Sequence, residues 1–143
     1  MFFSEQGVVA CVFKCVGGYQ PVLGWTASGD SAFIRRCFEY DPNNGQFRVF
    51  QDSLYLVASH LAFKGPRSAI YGQRVMRLGF KEPIMAENEV STTSGERTGG
   101  IVHNSVLVGI ARLRADERIY VDAKPVRQLA RGNSLSTLTL LKL

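Results

Sequence analysis

The stretch Ser53-Leu54-Tyr55-Leu56-Val57-Ala58-Ser59-His60-Leu61-Ala62-Phe63 constrains the fold more than any other part of the chain. Its apolar residues run almost unbroken until Lys64-Gly65-Pro66 stops them, which disfavours the competing helix. Read as a strand, it places Leu54, Leu56, Ala58, His60 and Ala62 on one face. Tyr55, Val57, Ser59, Leu61 and Phe63 take the other face. Both faces are mostly apolar, the pattern of a strand covered on two sides.

Strand signals continue from end to end. Gly7 to Phe13, Gly24 to Thr26, Ser31 to Tyr40, Gln46 to Phe50 and Ala69 to Gly79 are predicted strands. Ile84 to Glu87, Val106 to Leu113, Arg118 to Ala123 and Ser134 to Leu143 complete the set. The breaks between them are turn chemistry, densest at Asp41-Pro42-Asn43-Asn44-Gly45, with a polar glycine-bearing loop over Ser91 to Gly100. Many short strands with evenly spaced turns and no convincing helix indicate an all-β sandwich. With 143 residues and no interdomain linker, the chain is expected to form a single domain over 1–143. No run reaches the roughly 18 apolar residues that a membrane-spanning helix needs.

The 17 Lys and Arg against 12 Asp and Glu give a net charge of +5. The arginines are dispersed and only Arg35-Arg36 is contiguous, so no groove of interleaved cations and aromatics points to nucleic acid. Solvated surface charge is the main reading, with an acidic protein or a sulfated glycan as the partner classes that such a field would favour.

Chemistry-bearing residues are few. None of the cysteines Cys11, Cys15 and Cys37 forms a C-x-x-C pair. On one strand, Cys11 and Cys15 would stand about 13 Å apart, too far to bridge. At most one of them therefore pairs with Cys37, and three small, partly buried thiols is the other reading. His60 belongs in a core or an interface, with a hydrogen-bond partner, and His103 at a surface edge. No metal-spaced cluster, nucleophile elbow or phosphate-cradling loop is present in the sequence, so a binding protein without catalysis or cofactor is expected. Met-Phe-Phe-Ser-Glu-Gln is too short and polar for a signal peptide, and no Asn-x-Ser/Thr acceptor occurs.

Taken in order, several segments resemble the tumour necrosis factor homology domain. These are Val9-Ala10, Trp25 after a Gly-rich loop, Phe47-Arg48-Val49-Phe50 and the Ser53–Gly65 strand, which is similar to that family's Gly-Leu-Tyr-x-x-Tyr-Ser-Gln-Val motif. Val106-Leu107-Val108-Gly109-Ile110-Ala111-Arg112-Leu113, Asp116-Glu117-Arg118-Ile119 and the terminal Leu138-Thr139-Leu140-Leu141-Lys142-Leu143 continue the resemblance. It implies a jelly roll of about ten antiparallel strands, a homotrimer, and docking of cysteine-rich receptors between neighbouring subunits. It also implies an extracellular cytokine ligand, secreted or released as the ectodomain of a single-pass type II membrane protein, and no cofactor or metal.

Carried over by position, the resemblance assigns Tyr55, Ala58, His60, Val106, Leu138 and Leu140 to the trimer interface. The receptor anchor is Phe80, in the loop Gly79-Phe80-Lys81-Glu82-Pro83, surrounded by Lys81, Arg67, Tyr19, Arg127 and Arg131. Trp25, Phe33, Phe47, Leu56, Ile110, Ile119, Val121 and Leu140 are expected inside, in the core or the subunit contact. Two departures stand out. The family's axial aromatics are replaced at Ala58, Val106 and Thr137 or Leu138, and the three cysteines do not match the loop-bridging pair of many members. A rival resemblance exists in Tyr40-Asp41-Pro42-Asn43-Asn44-Gly45-Gln46-Phe47, which is similar to a segment of complement-type globular heads, trimeric jelly rolls that act as recognition modules. A viral, structural or lectin-like jelly roll is the third class.

Overall fold

A computed structural model describes residues 2–5, 18–28, 37–65, 69–86, 90–92, 101–124, 126, 129 and 136–143. At its centre is the long apolar strand, β6, over Ser53–Gly65. The strands before it are β1 (Phe2–Glu5), β2 (Gln20–Pro21), β3 (Trp25–Ser28), β4 (Phe38–Asp41) and β5 (Gln46–Val49). After it come β7 (Ala69–Arg77), β8 (Met85–Ala86), β9 (Val90–Thr92), β10 (Ile101–Leu113), β11 (Arg118–Lys124) and β12 (Ser136–Lys142). All the named elements are strands, as the turn spacing indicates.

Two antiparallel sheets hold them. The first runs β10-β6-β12-β1-β3, and the second runs β4-β5-β11-β7-β8, with β2 on β11 and β9 on β7. This is the two-sheet arrangement of a jelly-roll sandwich. β1 sits between β12 and β3, pairing Phe3 with Leu138 and with Ala27. Four residues are too few to show a period, so Phe2–Glu5 carried no strand signal. β10 begins at Ile101, five residues before the apolar run at Val106, because β6 supplies a paired backbone along its whole length.

The pleat of β6 decides what is core. Tyr55, Val57, Ser59, Leu61 and Phe63 point between the sheets and are fully buried. Leu113, Leu138 and Leu140 join them from the same sheet, and Phe47, Val49, Tyr71, Val75, Ile119 and Val121 face them from the other. Aromatic pairs interlock the layers, Phe38 against Tyr55 at 5.4 Å and Phe63 against Tyr71 at 5.1 Å. Of the residues expected inside, Trp25, Phe47, Ile119, Val121 and Leu140 are buried, while Phe33 lies outside the described residues.

One polar cluster crosses this core. The Ser59 hydroxyl donates to Gln73 Oε1 at 2.9 Å. The Gln73 amide donates to Ser105 Oγ at 2.7 Å and to the Ser59 carbonyl at 3.2 Å. All three residues are buried, so β7 is pinned to β6 and β10 by bonds that water cannot reach.

Candidate interaction surfaces

The outward positions of β6, β10 and β12 form a grid. Register places Val106 beside His60 and Thr137, Val108 beside Ala58 and Thr139, and Ile110 beside Leu56 and Leu141. A fourth row holds Arg112 and Leu54, closed by the Leu143 amide donating to the Leu54 carbonyl at 2.9 Å. Val106, Val108, Ile110, Leu54, Leu141 and Leu143 are each between 40% and 64% exposed. Single exposed apolar side chains are ordinary, but a contiguous block on one sheet face marks an interaction surface. Polar groups bound the grid at both ends, with Asn104 Oδ1 3.0 Å from His60 Nε2 at one and the exposed Arg112 at the other.

This parity divides the residues expected at a subunit contact. Ala58, His60 and Val106 are on the grid. Tyr55, Leu138 and Leu140 are not: they point inward and are already buried within a single chain, so they belong to the core. The reason is the two-residue period of a strand, which forbids Tyr55 from sharing a face with Ala58 and His60. Ile110 and Leu56, expected either inside or in a subunit contact, lie on the grid. Val108, Leu54, Leu141 and Leu143 were not singled out by motif, although the same period marks them.

The second surface is a loop tip. β7 ends in a turn over Arg77–Phe80, closed by the Phe80 amide donating to the Arg77 carbonyl at 3.1 Å. Gly79 takes φ 89°, the left-handed value a type II turn needs at its third position. The turn lifts Phe80 to 52% exposure, with Lys81 exposed beside it. The Arg77 guanidinium lies 3.9 Å from the Phe80 ring centre and braces it without burying it.

A pocket of about 580 Å³ opens next to that ring, lined by Arg77, Phe80, Arg112, Arg114, Ala115 and Glu117. Its floor is the β10–β11 turn, where the Glu117 amide donates to the Arg114 carbonyl at 3.1 Å. Asp116 adopts φ 69° there and accepts from Arg48 Nη1 at 2.9 Å. Glu117 Oε1 accepts from the Arg114 amide at 2.8 Å, and its Oε2 lies 3.2 Å from Arg77 Nε as an ion pair without hydrogen-bond alignment.

Of the other residues expected around the anchor, Tyr19 is half-buried on the second sheet. The Arg74 guanidinium covers its ring at 4.1 Å and the Lys124 ammonium lies at 5.6 Å. Arg74 is three residues before Arg77 along β7, about 10 Å, so Tyr19 and Phe80 occupy separate parts of the sheet. Arg67, Arg127 and Arg131 lie outside the described residues, as do Cys11 and Cys15. Cys37 is a half-buried free thiol. His103 departs from its expected surface role, because its ring stacks on Tyr71 at 5.3 Å and on Phe63 at 6.1 Å.

Among the described residues no group of three or more His, Cys, Asp or Glu is placed to hold a metal ion, and no helix is long and apolar enough to cross a membrane. In comparison with known proteins, the model of the TNF (Tumour Necrosis Factor) family matches residues 23–143. No curated protein matches the chain.

Proposed function

Because this chain belongs to the tumour necrosis factor family, we propose that it is an extracellular cytokine ligand. It assembles as a homotrimer and clusters cysteine-rich receptors of the tumour necrosis factor receptor type. The observation that carries this reading is the apolar grid on β6, β10 and β12. Such a face loses about 25 cal/mol for each Å² left in water, and a stable contact covers roughly 800 Å² per partner. Copies of the same chain are the covering that family membership supports, and closure around an axis leaves clefts between neighbours. The family's site of action supports an extracellular setting, reached by secretion or by release from a membrane-anchored precursor.

Phe80 suits a receptor anchor. It offers a large, rigid apolar surface whose position is set by a turn, so little side-chain freedom is lost on binding. Lys81 beside it, and Tyr19, Arg67, Arg127 and Arg131 from other segments, complete the proposed contact. The test is a pull-down of cysteine-rich receptor ectodomains with the wild-type chain and with Phe80→Ala. A receptor captured by the wild type and lost by about 2 kcal/mol or more with Phe80→Ala, at unchanged oligomeric state, supports the anchor. Unchanged capture removes it.

A further inference from the structure

The pocket beside Phe80 has an unbalanced charge. Arg77 is spent on Glu117 and on the Phe80 ring. Among the described residues, Arg112 and Arg114 have no carboxylate within ion-pair distance, and both are exposed. The nearby acids are committed elsewhere. Glu117 is fixed by the Arg114 amide and Arg77, Asp116 accepts from Arg48, and Asp52 accepts from the Ala115 amide at 2.6 Å. Arg112 and Arg114 therefore line an open cavity without a carboxylate partner among the described residues, beside an exposed aromatic ring.

The geometry points to a subsite for one carboxylate side chain of a protein partner, read by Arg112 and Arg114, with the adjoining apolar side chain of that partner resting on Phe80. This rests on the partner-binding reading of Phe80 and extends it to residues of β10 and the β10–β11 turn. A guanidinium presents two parallel donors that match the two oxygens of a carboxylate, so an Asp or Glu satisfies each fork where a neutral amide cannot. Charge complementarity also selects between anions. A sulfated polysaccharide draws its affinity from a long stripe of cations, whereas here two arginines share one pocket with the Glu117 carboxylate. That arrangement suits one short acidic contact better than an extended polyanion.

The experiment follows the arginine Nε–H and Phe80 ring signals of the full 143-residue chain by nuclear magnetic resonance. The probes are acetyl-Leu-Glu-Leu-amide, its Gln analogue and a heparin hexasaccharide. The Glu peptide is expected to shift Arg112, Arg114 and Phe80 together, with at least about tenfold tighter binding than the Gln peptide. Arg112→Gln and, separately, Arg114→Gln are each expected to remove most of that preference. Equal binding of the two peptides, binding of neither, or perturbation of these residues by the hexasaccharide but not by the Glu peptide overturns the subsite. These results are read without receptor capture, so failure of the subsite and failure of the cytokine reading are distinguishable.

Discussion

Gln73 shows how much one buried amide can hold. It sits between Tyr71 and Val75 on the inward side of β7, where its bonds to Ser59 and Ser105 replace apolar contact. Gln73→Leu keeps the volume but strips partners from two buried hydroxyls, and a loss of about 2–4 kcal/mol in urea unfolding is expected. A loss below about 0.5 kcal/mol would mean that the cluster contributes nothing net. Asp122 is the corresponding titratable case. It is buried, its Oδ2 accepts from Arg74 Nε at 3.0 Å, and its other oxygen has no partner among the described residues. Burial holds its pKa above the ordinary 3.8, with the hydrogen bond from Arg74 pulling the other way. The folded chain therefore keeps this proton longer than the unfolded chain does. The stability it contributes is fully present below 3.8 and is lost as pH rises through the folded pKa. Relative to Asp122→Asn, the wild type is expected to lose stability as pH increases across that window, by denaturant titration at each pH. A flat or opposite difference contradicts this. Neither residue was legible in the sequence, because their partners lie 14, 32 and 48 positions away and only folding brings them together.

At the scale of the element, legibility followed length and period. β6 announced itself through eleven residues of alternating faces, and the dense Asp41–Gly45 turn was readable from its composition. There the Asn43 amide donates to Asp41 Oδ1 at 3.0 Å. β1 and the first five residues of β10 were not readable, since they are strands through pairing with β12, β3 and β6. The expected subunit contact was assigned residue by residue from motif positions, and half of those residues broke the strand period that the same segment displays. β10 also carries a packing constraint that only the structure reveals. A Cβ added at Gly109 would stand 2.4 Å from Met85 Sδ, because β8 lays that side chain across the β10 backbone. Gly109→Val is expected to cost about 1–3 kcal/mol in thermal or chemical unfolding. Shortening the neighbour with Met85→Ala in the same chain should recover part of that cost. Equal losses with and without Met85→Ala would mean that the clash is not the cause.

For the whole molecule, the fold class and the family were legible because strand order and turn spacing are properties of the entire chain. The interaction surfaces were legible only in outline. Family resemblance proposed Phe80 as the anchor and Ala58 and Val106 as axial positions, but the grid that surrounds Ala58 emerges from the register of three strands. The second of its four rows, Val108-Ala58-Thr139, is small where the family resemblance implies stacked aromatics, so the proposed self-contact depends on aliphatic area spread over several rows rather than on a few large anchors. An acidic side chain at the β10 end of that row would be buried without a partner in the proposed self-contact. Val108→Glu is accordingly expected to weaken self-association by at least about 100-fold while the chain stays folded.

Sedimentation of the purified chain shows whether copies of the chain cover the grid. The subunit mass is 15.8 kDa, and a species of three times that mass is expected at micromolar concentration, shifting to single subunits for Val108→Glu. A wild-type chain that sediments as a folded monomer throughout would leave the grid uncovered and the clefts unformed, and would contradict the ligand reading.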